Sequence, residues 1–188
     1  MQGTVLFGIN NIYTVRIQDG TEHLCRIKGK VLKGCENVYN PITAGDKVEF
    51  EEGLITALLP RKNAFTRWNR KRFMSQIIAA NLDVLFCVAS PMEPPFRPRF
   101  MDKVIANSCH KYDSEYEVVI VINKCDLGVP DEVVKRLDNY RRIGYRIFMV
   151  SAKTGEGLDE LKACAKGKFC AFAGQSGVGK SSLLNAFS

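Results

Sequence analysis

The chain has 188 residues, 46% of them hydrophobic and 25% charged, with a formal net charge of +7. That balance excludes a disordered polypeptide and fits one large or two small globular domains. The longest apolar run, Val84 to Ala89, is far short of the roughly 20 residues that cross a bilayer, and no basic stretch followed by an apolar one opens the chain, so a cytoplasmic protein without a membrane partner is expected.

Residues 1 to 59 read as β. Apolar residues alternate in Val5-Phe7-Ile9, Tyr13-Val15-Ile17 and His23-Cys25-Ile27, the period of a half-buried strand. Further strands are expected at Lys47 to Glu51 and Leu54 to Leu59. Asp19-Gly20 and Gly53 supply the positive φ that tight hairpins need. Five short strands with turn signals predict a small barrel of the oligonucleotide-binding (OB) type, with an SH3-like barrel left open.

The charge is concentrated in the next segment. Residues 61 to 72 hold Arg61, Lys62, Arg67, Arg70, Lys71 and Arg72 and no acidic residue, so the rest of the chain is close to neutral. Phe65 and the only tryptophan, Trp68, lie inside this run. Cations bind phosphates and flat rings stack on bases, which makes Arg61, Lys62, Arg67, Trp68, Arg70, Lys71 and Arg72 candidate RNA contacts. A solvated linker carries the same pattern.

After residue 80 strands alternate with helices. Strands are expected at Asp83 to Ser90, Glu117 to Ile122, Tyr145 to Val150 and Lys168 to Ala173. A Pro-rich loop, Pro91 to Pro98, precedes a helix marked by Met101, Val104, Ile105, Ser108, Cys109 and Tyr112. Val133, Leu137 and Tyr140 mark a second helix, Leu158, Leu161 and Ala165 a third, and Lys180 to Phe187 a fourth. The alternation predicts a parallel α/β sheet. The fold class is therefore α/β with an all-β N-terminal barrel.

The seven cysteines (25, 35, 87, 109, 125, 164 and 170) are odd in number and show no C-x-x-C spacing, so reduced thiols are expected. Cys109-His110 is one adjacent pair, too few ligands for a zinc site.

Three motifs carry chemistry. Gly174-Gln175-Ser176-Gly177-Val178-Gly179-Lys180-Ser181, followed by Ser182, matches the phosphate-binding loop G-x-x-x-x-G-K-[ST] between a strand and a helix. Backbone N–H groups and the helix N-terminus would face phosphate oxygens. Lys180 would reach the β and γ phosphates, and Ser181 would ligate Mg²⁺. Asn123-Lys124-Cys125-Asp126 ends a buried strand, where ligands of open α/β sheets gather. A carboxylate there accepts hydrogen bonds from guanine N1–H and its 2-amino group; facing adenine, a buried one would be left unpaired. Ser151-Ala152-Lys153 follows another strand, and the Ala152 N–H is expected to face the guanine oxygen. These signals disfavour an adenine-specific ATPase or kinase.

The motifs run N-K-x-D, S-A-K, then phosphate loop, whereas in common GTPases the phosphate loop comes first and the other two follow; the order is thus a circular permutation, which nearby termini make tolerable. In this order, together with Gly3-Thr-Val, Ala44-Gly-Asp-Lys-Val48, Leu59-Pro-Arg-Lys-Asn63 and Ile78-Ala-Ala-Asn-Leu-Asp83, the chain resembles the ribosome small-subunit-dependent GTPase A family. The resemblance implies an OB-fold RNA-binding barrel (1–66) and a circularly permuted P-loop GTPase domain (67–188), incomplete at its C-terminus. It implies GTP or GDP with Mg²⁺ as ligands. It also implies the small ribosomal subunit and its rRNA as partners, subunit-stimulated GTP hydrolysis, a role in late subunit maturation, and a monomer. The family pattern continues with a switch segment, a D-x-x-G motif and a zinc-binding domain, for which no candidate follows Ser181. The expectation for these 188 residues is weak guanine-nucleotide binding, impaired hydrolysis and an open sheet edge at Lys168 to Ala173. The competing reading is a non-catalytic RNA-binding module with a vestigial nucleotide site.

Overall fold

In a computed structural model, residues 1–27, 40–108 and 116–187 are described. Cys35, Cys109, His110, Tyr112 and Ser188 lie outside the described residues. Met1–Leu82 make one compact unit, and the described residues from Asp83 onward make a second.

The first unit is built on a closed barrel. Its strands are β1 (Gln2–Ile9), β2 (Ile12–Arg16), β3 (Glu22–Ile27), β4 (Lys47–Glu51) and β5 (Leu54–Leu58), ordered β1-β2-β3-β5-β4 with β4 returning to β1. The β3–β5 pairing is parallel and the other pairings are antiparallel. This closed five-stranded order is the OB arrangement rather than the SH3-like one. Val5, Val15, Cys25, Val48, Phe50 and Ile55 fill the interior. Two-residue turns with positive φ at both positions, Asn10-Asn11 and Glu52-Gly53, close the β1–β2 and β4–β5 hairpins, as the strand twist requires.

One alternation does not hold. Val5 is buried, but Phe7 and Ile9 are 55% and 66% exposed. A register shift between Val5 and Phe7 inserts an extra residue, and a bulge reverses which face the following side chains occupy.

The basic run is not an extended linker. It forms β6 (Ala64–Asn69), paired antiparallel with β7 (Met74–Ala80). The hairpin is fastened to the chain before β4: Thr43 Oγ1 donates to the Ile78 carbonyl, the Ala80 N–H to the Ala44 carbonyl, and Asn81 Nδ2 to the Gly45 carbonyl. The first unit therefore extends to Leu82, beyond the boundary at residue 66 drawn from the sequence.

The second unit holds a parallel sheet of four strands, β8 (Val84–Ala89), β9 (Glu117–Ile122), β10 (Ile147–Met149) and β11 (Cys170–Gly174), in the order β10-β9-β8-β11. Every residue of β8 is buried, as a central strand covered on both faces demands. The helices are α1 (Pro98–Ser108), α2 (Asp131–Arg142), α3 (Leu158–Ala165) and α4 (Lys180–Phe187). Val133, Leu137 and Tyr140 are the buried positions of α2, one face at helical spacing. Within this sheet β11 is an edge strand and its residues are half-buried. Among the described residues no helix is long and apolar enough to cross a membrane.

Candidate nucleotide site

The three motifs follow the C-terminal ends of β9, β10 and β11, on one edge of the parallel sheet. Parallel strands put all three loops at the same end, the usual ligand position in such sheets.

Asn123 joins them. Its side chain is buried. Its Nδ2 donates to the Val178 carbonyl of the phosphate loop at 2.9 Å, and its Oδ1 accepts the Ala152 N–H at 3.0 Å. One amide thus ties N-K-x-D to the other two motifs, and a buried amide satisfied on both sides holds them rigidly. The Ala152 N–H, expected to face a guanine oxygen, is here occupied by Asn123.

Asp126 belongs to a 3₁₀ turn, Cys125–Leu127. It is exposed rather than buried, because the turn projects beyond the end of the sheet. Buried Ser151 donates its hydroxyl to Asp126 Oδ1 at 2.7 Å, fixing the carboxylate while leaving acceptor capacity on both oxygens. Lys153 is exposed beside it in sequence. The Cys125 thiol donates to the Ile122 carbonyl. Burial pushes that thiol's pKa up, outweighing the Val150 backbone contact that lowers it.

The phosphate loop has the glycines its shape requires. Gly177 and Gly179 have φ of +83° and +89°, which side chains other than glycine's rarely adopt. A Cβ on Gly179 would collide with Asn123 Nδ2, and one on Gly174 would lie 2.5 Å from the Val88 carbonyl oxygen. Val178 is buried in the core with Val88 and Val121 and anchors the loop from below. Gln175 is half-buried and Ser176 exposed. Lys180 opens α4 and folds back, donating Nζ to the Gly174 and Gln175 carbonyls at 2.9 and 2.7 Å. Ser181 and Ser182 are exposed in the first turn of α4. The loop thus gathers backbone donors and one ammonium, a donor set that suits phosphate, and the Ser181 hydroxyl suits a hard cation such as Mg²⁺. Among the described residues no cluster of three or more His, Cys, Asp or Glu side chains could hold a metal.

The family model described as RsgA GTPase matches residues 58–188. The chain belongs to the RsgA GTPase family. It is 35% identical over 187 residues to the small ribosomal subunit biogenesis GTPase RsgA of Borrelia recurrentis (strain A1), covering 96% of this chain and 59% of that relative. It is 38% identical over 199 residues to the protein of the same name from Porphyromonas gingivalis (strain ATCC BAA-308 / W83), covering 99% of this chain and 62% of the relative. Among solved structures, YjeQ from Thermotoga maritima matches with a TM-score of 0.74 at 35% identity, over all of this chain and 64% of that one. YloQ, described as a circularly permuted GTPase, matches with a TM-score of 0.64 at 25% identity, again over all of this chain and 64% of that one. The chain spans about three fifths of the length of the curated relatives it matches. The permuted motif order read from the sequence agrees with the circular permutation named for YloQ.

The basic segment is divided by the hairpin. Arg61 is turned inward: Nε and Nη2 meet the two carboxylate oxygens of buried Asp46 at 2.6 and 2.7 Å, and Nη2 also reaches the Pro41 carbonyl. Phe65 is buried and offers no stacking face. Lys62, Arg67, Arg70, Lys71 and Arg72 are exposed, and Trp68 is 62% exposed. Arg67 donates to Gln76 Oε1 across the hairpin at 3.1 Å. Phe73 was not among the sequence-derived candidates, yet it stands 81% exposed beside the tip cations, at a φ of +51°. Its place at a loop tip became visible only once the hairpin was known.

Proposed function

We propose that this chain binds GTP or GDP with Mg²⁺ and contributes to GTP hydrolysis in association with the small ribosomal subunit, during late maturation of that subunit in the cytoplasm. The observation that carries this reading is the pair of hydrogen bonds of Asn123, one donated to the phosphate loop and one accepted from the S-A-K loop. It makes the three motifs one pocket rather than three unrelated turns.

In this reading Asp126 receives guanine N1–H and the 2-amino group, and Ser151 orients it. The stem of Lys124 flanks the base. The N–H groups of Gly177 to Ser182 cradle the phosphates. Lys180 exchanges its two carbonyl partners for phosphate oxygens, a more favourable pairing for an ammonium. Mg²⁺, held in part by Ser181, would neutralise phosphate charge. A water-orienting switch segment and D-x-x-G motif, which the family resemblance implies, would complete hydrolysis, so turnover by these residues alone is expected to be slow. Lys180→Ala should weaken GDP binding tenfold to about a hundredfold in a fluorescence titration, the worth of losing a charged donor. Unchanged affinity would remove Lys180 from the site.

Subunit contact is proposed through the exposed cations of the β6–β7 hairpin and Trp68, with rRNA as the ligand and the protein acting as a monomer. Arg61 drops out of that set because its guanidinium is held by Asp46. Neutralising Arg67, Arg70, Lys71 and Arg72 together should lower the salt slope of small-subunit binding by about 3. An unchanged slope would make the hairpin a bystander.

A further inference from the structure

The Pro-rich turn after β8 has no part in the three motifs, yet it reaches two of them. Ser90, at the end of β8, is buried, and its Oγ accepts the Glu93 N–H at 3.2 Å. The Glu93 carbonyl, so aimed, accepts Lys124 Nζ at 2.7 Å. Lys124 itself sits at a φ of +68°, a conformation disfavoured for lysine and sustained only where surroundings over-determine it. Its Cε lies 4.0 Å from the point where a Cβ on Gly179 would stand. On the other side, Pro94 Cδ lies 3.6 Å from the corresponding point on Gly177. The turn therefore holds the base-side lysine and lies beside the phosphate loop.

We propose that the Ser90–Pro94 turn is a fourth wall of the nucleotide pocket, and that Ser90 is a positioning residue acting through Glu93 and Lys124. The inference rests on the guanine-nucleotide reading above. A free lysine side chain samples many rotamers, and fixing it at the moment of binding costs entropy. Anchoring Nζ on a backbone carbonyl meets that cost before the ligand arrives. The methylene stem is then presented as a flat apolar strip along which a base can lie. The anchor is a carbonyl, which any residue at position 93 would supply. The aim of that carbonyl depends on the Ser90 hydroxyl.

The test is a double-mutant cycle on the whole chain, read by titration with a fluorescent GDP. Ser90→Ala should weaken binding about threefold to tenfold, the usual worth of one hydrogen bond, and Ser90→Thr should restore it. In a Lys124→Ala background Ser90→Ala should have no further effect, because the route through Lys124 is gone. Lys124→Met, which keeps a long apolar stem but removes the anchor, should match Ser90→Ala without touching buried Ser90. An additive loss in the double variant, or wild-type affinity in both Ser90→Ala and Lys124→Met, overturns the inference while leaving the guanine reading intact. Failure of the wild-type chain to bind GDP overturns both.

Discussion

Asp126→Asn is expected to weaken GDP binding by about a hundredfold and to raise affinity for xanthosine diphosphate. Guanine presents two donors to this position, N1–H and the 2-amino group, and a carboxylate presents two acceptors. The amide introduced by the substitution has one acceptor and one donor. It leaves one guanine donor facing another donor, and sites built on such bonds discriminate strongly when one is lost. Xanthine carries an oxygen where guanine carries the amino group, so it matches the amide. The Ser151 hydroxyl, which now donates to Asp126 Oδ1, can keep its bond to the amide oxygen, so the side chain stays aimed. Competition between GDP, xanthosine diphosphate and ADP on wild-type and variant chains reads this directly. Undiminished guanine preference in the variant would move base recognition away from Asp126.

Arg61→Ala should destabilise the first unit by about 3 kcal/mol, the size expected when one partner of a buried ion pair is removed. Asp46 is fully buried, and its side chain accepts Arg61 on both oxygens and the Thr43 N–H on Oδ2. Without the guanidinium, a buried carboxylate keeps the Thr43 N–H on one oxygen and has no opposite charge at the other. Arg61→Lys should recover part of the loss, since an ammonium brings the charge but not the two-pronged fit. The exposed pair Arg16–Glu22 offers a control: its members are about half exposed, and breaking it should cost less than 1 kcal/mol. Urea unfolding followed by circular dichroism separates these cases. A loss below 1 kcal/mol for Arg61→Ala would mean that Asp46 is not held as described.

These two residues also show where sequence was a good guide and where it was not. The place of Asp126 was legible because a short motif at a strand end marks where the turn after β9 lies. The parallel sheet and the α2 face were legible because burial writes a period into the sequence. Arg61 was not, because a basic residue in a basic run carries no mark of the buried carboxylate fifteen positions earlier that captures it. The hairpin β6–β7 was missed for a related reason. Its strand Ala64–Asn69 is cationic and lacks clean alternation, and what holds it is a set of backbone bonds to Thr43, Ala44 and Gly45. Phe7 and Ile9 were expected inside the barrel because a one-residue bulge leaves no trace in an alternating pattern. The Ser90–Pro94 turn read only as a loop, since its neighbours Lys124 and Gly177 lie over 30 and over 80 positions away in sequence.

The central claim is that Asn123 assembles three motifs into one guanine-selective pocket. Equilibrium titration of the wild-type chain with fluorescent GDP, competed by unlabelled GDP and ADP in Mg²⁺, tests it most directly. The account predicts saturable binding that GDP displaces at least about a hundredfold better than ADP. Equal displacement by the two nucleotides, or no saturable binding, would contradict it.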